Sequence, residues 1–284
     1  MKTELKFLTV ALILSFLHCS AFCQVNKYYP KGNPRQFQAE ITVPLWIPWI
    51  KGEAGLDGLL HDLEGDINAT PANLVSNLKG AVALNADVSK GGVIGFVNYM
   101  HIKLGTQNTL AQLPQGGTVN WNATIKNDIL DIAAGGRMHF NKGMIDPFFG
   151  VRYYNLNASV DLNGGNLSKT GSRQVNFWDP MIGTRLFYYP KERVMLFLRT
   201  DFGGIWGGSS QFSWNIEGKA GYAISPTIDL AAGFRTYSFK YAEFTNNARI
   251  FYMHPHMYGF EFSASFMLPK RSSSTAVFPK KKNG

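Results

Sequence analysis

Cysteine is almost missing from this 284-residue chain: Cys19 and Cys23 are the only two, and both precede Gln24. Everything downstream therefore lacks a thiol nucleophile, a disulfide framework and a cysteine-ligated metal. Long apolar runs are missing too. Beyond Leu17 no uninterrupted stretch approaches the roughly 20 apolar residues that a membrane helix needs. Charge is sparse, at 17% Asp, Glu, Lys and Arg, and no glycine-rich phosphate-binding loop is present. What is abundant is aromatic residues, at 14%, with Gly and Asn, distributed in short alternating segments divided by turns.

The N-terminus gives that composition a destination. Lys2 and Lys6 precede an apolar core from Phe7 to Leu17, and Ala21-Phe22-Cys23 offers a cleavage point before Gln24. This is the pattern of a secretory signal peptide over residues 1–23. The apolar core is too short for a retained spanning anchor, and Phe22 stands where a lipidation signal wants a small residue. Export without membrane helices leaves a soluble exported protein or an outer-membrane barrel, and the aromatic, alternating composition favours the barrel. The formal charge is +9, and loss of Lys2, Glu4 and Lys6 makes it +8. Five of those positive charges, Lys270, Arg271 and Lys280 to Lys282, sit in an acid-free tail. The remainder is only mildly basic, so no nucleic-acid partner is expected.

Four copies of one spaced pattern carry most of the remaining information: an acid, a Gly four residues on, and an Arg two further on. They are Asp131/Gly135/Arg137, Asp146/Gly150/Arg152, Asp179/Gly183/Arg185 and Asp229/Gly233/Arg235. All offsets are even, so in an extended strand each trio points one way. The residues between are mostly apolar, for example Phe149 and Val151, or Leu230, Ala232 and Phe234. With the apolar row facing lipid and the charged row facing a lumen, the alternation is that of a transmembrane barrel. Antiparallel neighbours then place Asp146 near Arg137 and Arg185, and Asp131 near Arg152.

Ten candidate strands follow: 38–49, 80–88, 93–104, 119–140, 144–156, 175–188, 193–202, 211–223, 227–239 and 250–268. Long and short links alternate, and the short ones carry turn chemistry, as in Ser89-Lys90-Gly91-Gly92 and Asn141-Lys142-Gly143. An even count with alternating links predicts an antiparallel up-and-down barrel of ten strands, with eight or twelve as neighbouring solutions. The domain division is a signal peptide over 1–23, a periplasmic segment over 24–37, the barrel over 38–268 and a basic tail over 269–284. Arg199 and Asp201, Glu217 and Lys219, and Glu261 join the trios on the inward rows. Pro44 and Pro48 suggest a bulge or an irregular start to the first strand. Apolar residues in both rows leave the register of 93–104 open.

In the first long link, Thr70 and Pro71 read as the cap and first residue of a short helix. Asp57, Asp62, Glu64 and Asp66 before it form either a solvated acidic loop or a lid, plug or cation-binding loop. Catalysis is the weakest reading, and no enzyme, cofactor or metal is expected. His254 and His256 share a strand face, but it is the lipid row of Tyr258 and Phe260. His61, His101 and His139 have no nucleophile at a recognisable spacing.

The chain also resembles a family of small, porin-like outer-membrane β-barrel proteins of bacteria. The residues that carry the resemblance are Trp46-Ile47-Pro48-Trp49, Trp178-Asp179-Pro180-Met181-Ile182-Gly183-Thr184-Arg185, Leu198-Arg199-Thr200-Asp201-Phe202-Gly203-Gly204, Ala231, and Gly233-Phe234-Arg235-Thr236-Tyr237. It implies an integral outer-membrane protein in a Gram-negative host and supplies no active-site residues. The expected partners are outer-membrane lipid, the barrel-assembly machinery and a small solute. The expected role is structural or that of a narrow solute channel, with an adhesion or ligand-binding barrel acting through external loops as the alternative.

Overall fold

Apolar residues recur at every second position, and a pleated backbone gathers such residues onto one face. The computed structural model describes residues 37–56, 63–112, 118–164, 167–204, 210–225, 227–245 and 248–268. The expected signal peptide and basic tail lie outside them. In chain order the elements are β1 (Gln38–Leu56), β2 (Leu63–Ala69), α1 (Pro71–Asn77), β3 (Leu78–Lys90), β4 (Val93–Gln112), β5 (Thr118–Gly136) and β6 (Met138–Phe140). There follow β7 (Gly143–Gly164), β8 (Leu167–Lys191), β9 (Val194–Gly203), β10 (Phe212–Ala223), β11 (Ile228–Thr245) and β12 (Ala248–Leu268).

Each wall strand runs antiparallel to the next, and β12 returns to pair with β1 from Ala39–Leu268 to Leu56–Phe251. The sheet is therefore a closed barrel. β2 only doubles the outer end of β1, and β6 continues the line of β5 along β7, so ten staves make the ring. The short links are as expected, with Gly91, Gly92 and Lys142 taking positive φ at the turns.

The exterior row is apolar on every stave. β9 exposes Leu196, Leu198 and Phe202, β10 exposes Phe212, Ile216 and Tyr222, and β12 exposes Phe260, Phe262, Phe266 and Leu268. Aromatic residues border this row at both ends. Phe140, Tyr188 and Tyr222 mark one rim; Trp49 stacked on Tyr258 at 5.9 Å and Tyr153 against Trp178 at 4.8 Å mark the other. Such girdles flank the lipid band of transmembrane barrels.

Two expectations need correction. The links 105–118, 157–174 and 240–249 are not long loops: the β4–β5, β7–β8 and β11–β12 hairpins run on through them as paired strands. Above the apolar band a strand needs no greasy row, so alternation fades although pairing continues. The prolines of β1 do not break its register with β12, which is regular; instead the β1–β3 ladder runs only from Gln38–Ser89 to Thr42–Asn85. In β4 both rows are apolar because Ile94, Phe96 and Met100 point inward and are buried. α1 begins as expected, with the Thr70 side chain accepting from the Asn73 N–H at 3.3 Å. Of the acidic group before it, Asp57 and Asp62 and the side chains of Glu64 and Asp66 lie outside the described residues.

The middle glycine of each trio has a steric reason to be there. A Cβ on Gly135, Gly150, Gly183 or Gly233 would collide with the carbonyl of Pro147, Ile132, Thr200 or Gly218 on the adjoining strand. Strand backbones can approach this closely only without a side chain. Gly150→Val is expected to abolish the heat-modifiable folded band in gel electrophoresis. Ala134→Val, an enlargement on the exposed outward row of the neighbouring strand, is expected to keep it.

Candidate functional site

Inside the ring the trios deliver their charged ends to one layer. Arg152 donates through Nε to Asp131 Oδ1 at 2.6 Å and through Nη2 to Asp131 Oδ2 at 3.1 Å and Asp201 Oδ1 at 2.8 Å. Arg199 completes a quadrilateral, with Nε on Asp201 Oδ2 at 2.7 Å and Nη2 on Asp131 Oδ2 at 2.8 Å. Two carboxylates and two guanidinium groups thus alternate around a closed circuit. Arg152 and Asp201 are 0% exposed, Asp131 2% and Arg199 4%. Asn215 extends the circuit, donating to Asp201 at 3.0 Å and accepting from Arg235 Nε at 2.9 Å.

Two smaller groups flank it. Asp146 is held bidentately by Arg137 at 2.8 and 2.7 Å and again by Arg185 Nη2 at 3.2 Å, while Arg185 also reaches Asp87. Lys219 bridges Glu217 and Glu261, the latter at 3.0 Å, with Arg235 3.8 Å from Glu261. Aromatic faces cover what carboxylates leave open: the Arg185 guanidinium lies 4.3 Å from the Phe96 ring centre, that of Arg152 5.2 Å from Tyr237, and that of Arg235 4.9 Å from Trp46. Paired, desolvated charges are tolerable in a low-dielectric interior only with this degree of mutual satisfaction.

Two trio acids go elsewhere. Asp179, fully buried, turns to the chain after β9, accepting from the Ser210 N–H at 3.0 Å and from the Ser210 hydroxyl. Asp229 lies lower, on the wall of a polar cavity of about 80 Å³ at the end of the barrel that carries the short turns. Thr42, Asp87, Ser265 and the inner side of Lys219 share that wall.

The largest omission from the sequence reading is the apolar filling of the other half of the lumen. Tyr154, Phe177, Tyr237, Phe239 and Tyr241 form a contiguous aromatic layer directly beyond Arg152. Tyr154 stacks on Phe177 at 4.4 Å, Phe177 on Tyr241 at 4.5 Å, and the Tyr237 hydroxyl meets that of Tyr154 at 2.5 Å. Leu74 of α1 packs into the same cluster with Ile50, Met100 and Ile129. The signal was available: continuing each trio's inward parity past its Arg or its acid reaches Tyr154, Phe177 and Tyr237.

Of the candidate histidines, His101 pairs with Asp128 at 2.7 Å, and Asp128 also accepts from Tyr99 at 2.9 Å and from Asn155 at 3.0 Å. This group shares the outward parity of Val97 and Ile132 and sits at the rim. His256 packs against Trp214 and Tyr258 at 5.4 and 5.5 Å, as an interfacial residue would. His61 lies outside the described residues.

No family model matches this chain, and no curated protein matches it. Solved structures similar to it are bacterial outer-membrane barrels. The outer membrane protease OmpT from Escherichia coli is 8% identical, with 85% of this chain and 100% of that one covered at a TM-score of 0.49. Ail, the attachment invasion locus protein of Yersinia pestis, is 7% identical over 80% and 99% at 0.29. A Pseudomonas aeruginosa FadL homologue is 10% identical over 85% and 95% at 0.29. The expectation that this chain is not an enzyme is corrected here, because a protease stands among the barrels it is similar to.

Removing Arg152 would leave two buried carboxylates sharing the one guanidinium of Arg199, an uncompensated buried charge that costs about 3–5 kcal/mol. Arg152→Met is expected to lower the midpoint of denaturant unfolding in lipid accordingly. Arg173→Met, which breaks a half-exposed pair with Glu243 at 2.5 Å, should cost no more than about 1 kcal/mol.

Proposed function

We propose that this protein is an integral outer-membrane barrel closed to conduction through its middle, which binds its ligand at the outer end. The observation that carries this reading is the sequence of layers in the lumen: a buried ion-paired circuit backed by a buried aromatic layer. A selectivity filter needs charges that water and solutes can reach, and Arg152, Asp201, Tyr154 and Asp179 are all 0% exposed. The charged residues then serve as a polar core that fixes register and holds the ring shut.

Binding at the outer end is supported by the hairpins that continue past the aromatic rim, β4–β5, β7–β8 and β11–β12, together with β1–β2. They form an outward extension of the barrel wall, rich in Asn, Thr and Ser rather than apolar residues. The lipid band, the signal-like pattern of the N-terminal sequence and the aromatic closing strand β12 support an outer-membrane address, reached through the barrel-assembly machinery. A narrow solute route is the second reading, favoured by the polar cavity at the short-turn end.

Single-channel recording of the refolded protein in a planar bilayer separates the two. No conductance steps are expected from the wild-type protein or from Arg199→Ala, since the aromatic layer remains in place. Steps in the wild-type protein that change with Arg199→Ala would replace this reading with the channel.

A further inference from the structure

The barrel wall has a window. β1 is paired with β12 along its whole length, but with β3 only as far as Thr42–Asn85. Higher up, β2 takes the same edge of β1, beginning at Ile50–Ala69. Between these two ladders, residues 43–49 of β1 and 78–84 of β3 face one another without pairing, over roughly 20 Å of strand. The short helix α1 closes the top, joining the end of β2 to the start of β3.

The prolines belong to this opening. The Ile47 carbonyl points at β12, where it would block a Cβ on Gly259. By strand alternation the peptide groups of Pro44, Trp46 and Pro48 face the opposite way, toward β3. Two of the three have no N–H to leave unpaired, which is the position proline tolerates at a strand edge. In hydrocarbon each unpaired donor would cost several kcal/mol, so the sequence is adapted to an open seam at this place.

The surroundings identify what reaches it. The frame is lipid-facing: Leu45 is 60% exposed, Val82 59% and Val43 49%. Behind it the inward row of β3 carries only Ala81 and Ala83, and on the outward row, beside Val82, a Cβ on Gly80 would meet nothing within 4 Å. Deeper still are Trp46, whose buried indole N–H has no hydrogen-bond partner among the described residues, and the apolar cluster of Ile50, Leu74, Met100 and Ile129. At the upper corners Lys51 and Lys79 are exposed, with Lys103 opposite Gly80 on β4; Glu53 is the one acid beside them on β1.

We infer that the window between β1 and β3 is a lateral binding site for an anionic, phosphate-bearing lipid of the surrounding bilayer. One acyl chain passes between the strands toward Trp46 and Leu74, and Lys51 and Lys79 hold the phosphate at the level of α1. The inference rests on the membrane placement proposed above and adds a ligand that arrives from the side.

The test uses single-tryptophan proteins, with Trp49, Trp121, Trp178, Trp206 and Trp214 changed to Phe, folded into phosphatidylcholine vesicles carrying a minority of phosphatidylglycerol brominated on its acyl chains. Trp46 is compared with two reporters in a Trp46→Phe background, Leu45→Trp on the lipid face and Tyr237→Trp inside the closed wall. Heat-modifiable migration confirms folding of each. Quenching of Trp46 as strong as that of Leu45→Trp is the expected result; quenching no stronger than that of Tyr237→Trp overturns the window as a binding site. Failure to quench Leu45→Trp overturns instead the membrane placement. Replacing both lysines, Lys51→Gln with Lys79→Gln, is expected to weaken the preference for brominated phosphatidylglycerol over brominated phosphatidylcholine by about fivefold or more. An unchanged preference overturns the role of the lysines in holding the phosphate.

Discussion

Arg152 has no contact with solvent, yet it carries a full charge into the lumen of a β-barrel. Taking a guanidinium out of water costs several kcal/mol even after relaxation, and that cost is recovered only by partners held at the right distance from opposite walls. Asp131 comes from the adjoining strand β5, whereas Asp201 and Arg199 come from β9, two staves away. The circuit therefore ties together strands that share no backbone ladder. Its geometry is satisfied at one diameter and one register of the ring, so the positions of β5, β7 and β9 are fixed jointly.

The rest of the lumen adapts to that circuit. Aromatic faces rather than further carboxylates cover the outer surfaces of the guanidinium groups, and the same rings continue upward as the apolar layer. A polar layer backed by an apolar one leaves little room for water around the charges. It also separates the two ends of the barrel chemically. The short-turn end holds a small polar cavity lined by acids, lysine and hydroxyls, whereas the far end is capped from within by tyrosine and phenylalanine.

Much of this was legible in the sequence, for a definite reason. The rows of β9, β10 and β12 alternate so strictly that Leu198 against Arg199, or Phe262 against Glu261, admit one orientation. Closure and strand number follow from the alternation of short turns with long links. The even offsets of the trios say which acid and arginine of adjoining strands approach, but they do not reach across the lumen to Asp201 or send Asp179 to Ser210. Tyr154, Phe177 and Tyr237 were missed because an aromatic residue reads alike whether it faces lipid or fills a lumen; only parity carried over from the neighbouring charges distinguishes them. The hairpin extensions were missed because pairing of backbone groups leaves no periodic trace once both faces are wet.

The closing seam has a kinetic side. β1 and β12 pair along nearly their whole lengths, although they stand at opposite ends of the wall sequence, while β1 and its successor β3 share only a short ladder. A chain that forms contacts between near neighbours first has little to gain from joining β1 to β3. Most of what anchors β1 becomes available only when β12 is in place, after the loop-closure entropy of the whole ring has been met. β1 is thus a late strand despite being the first made, and the ring completes by capturing its own beginning.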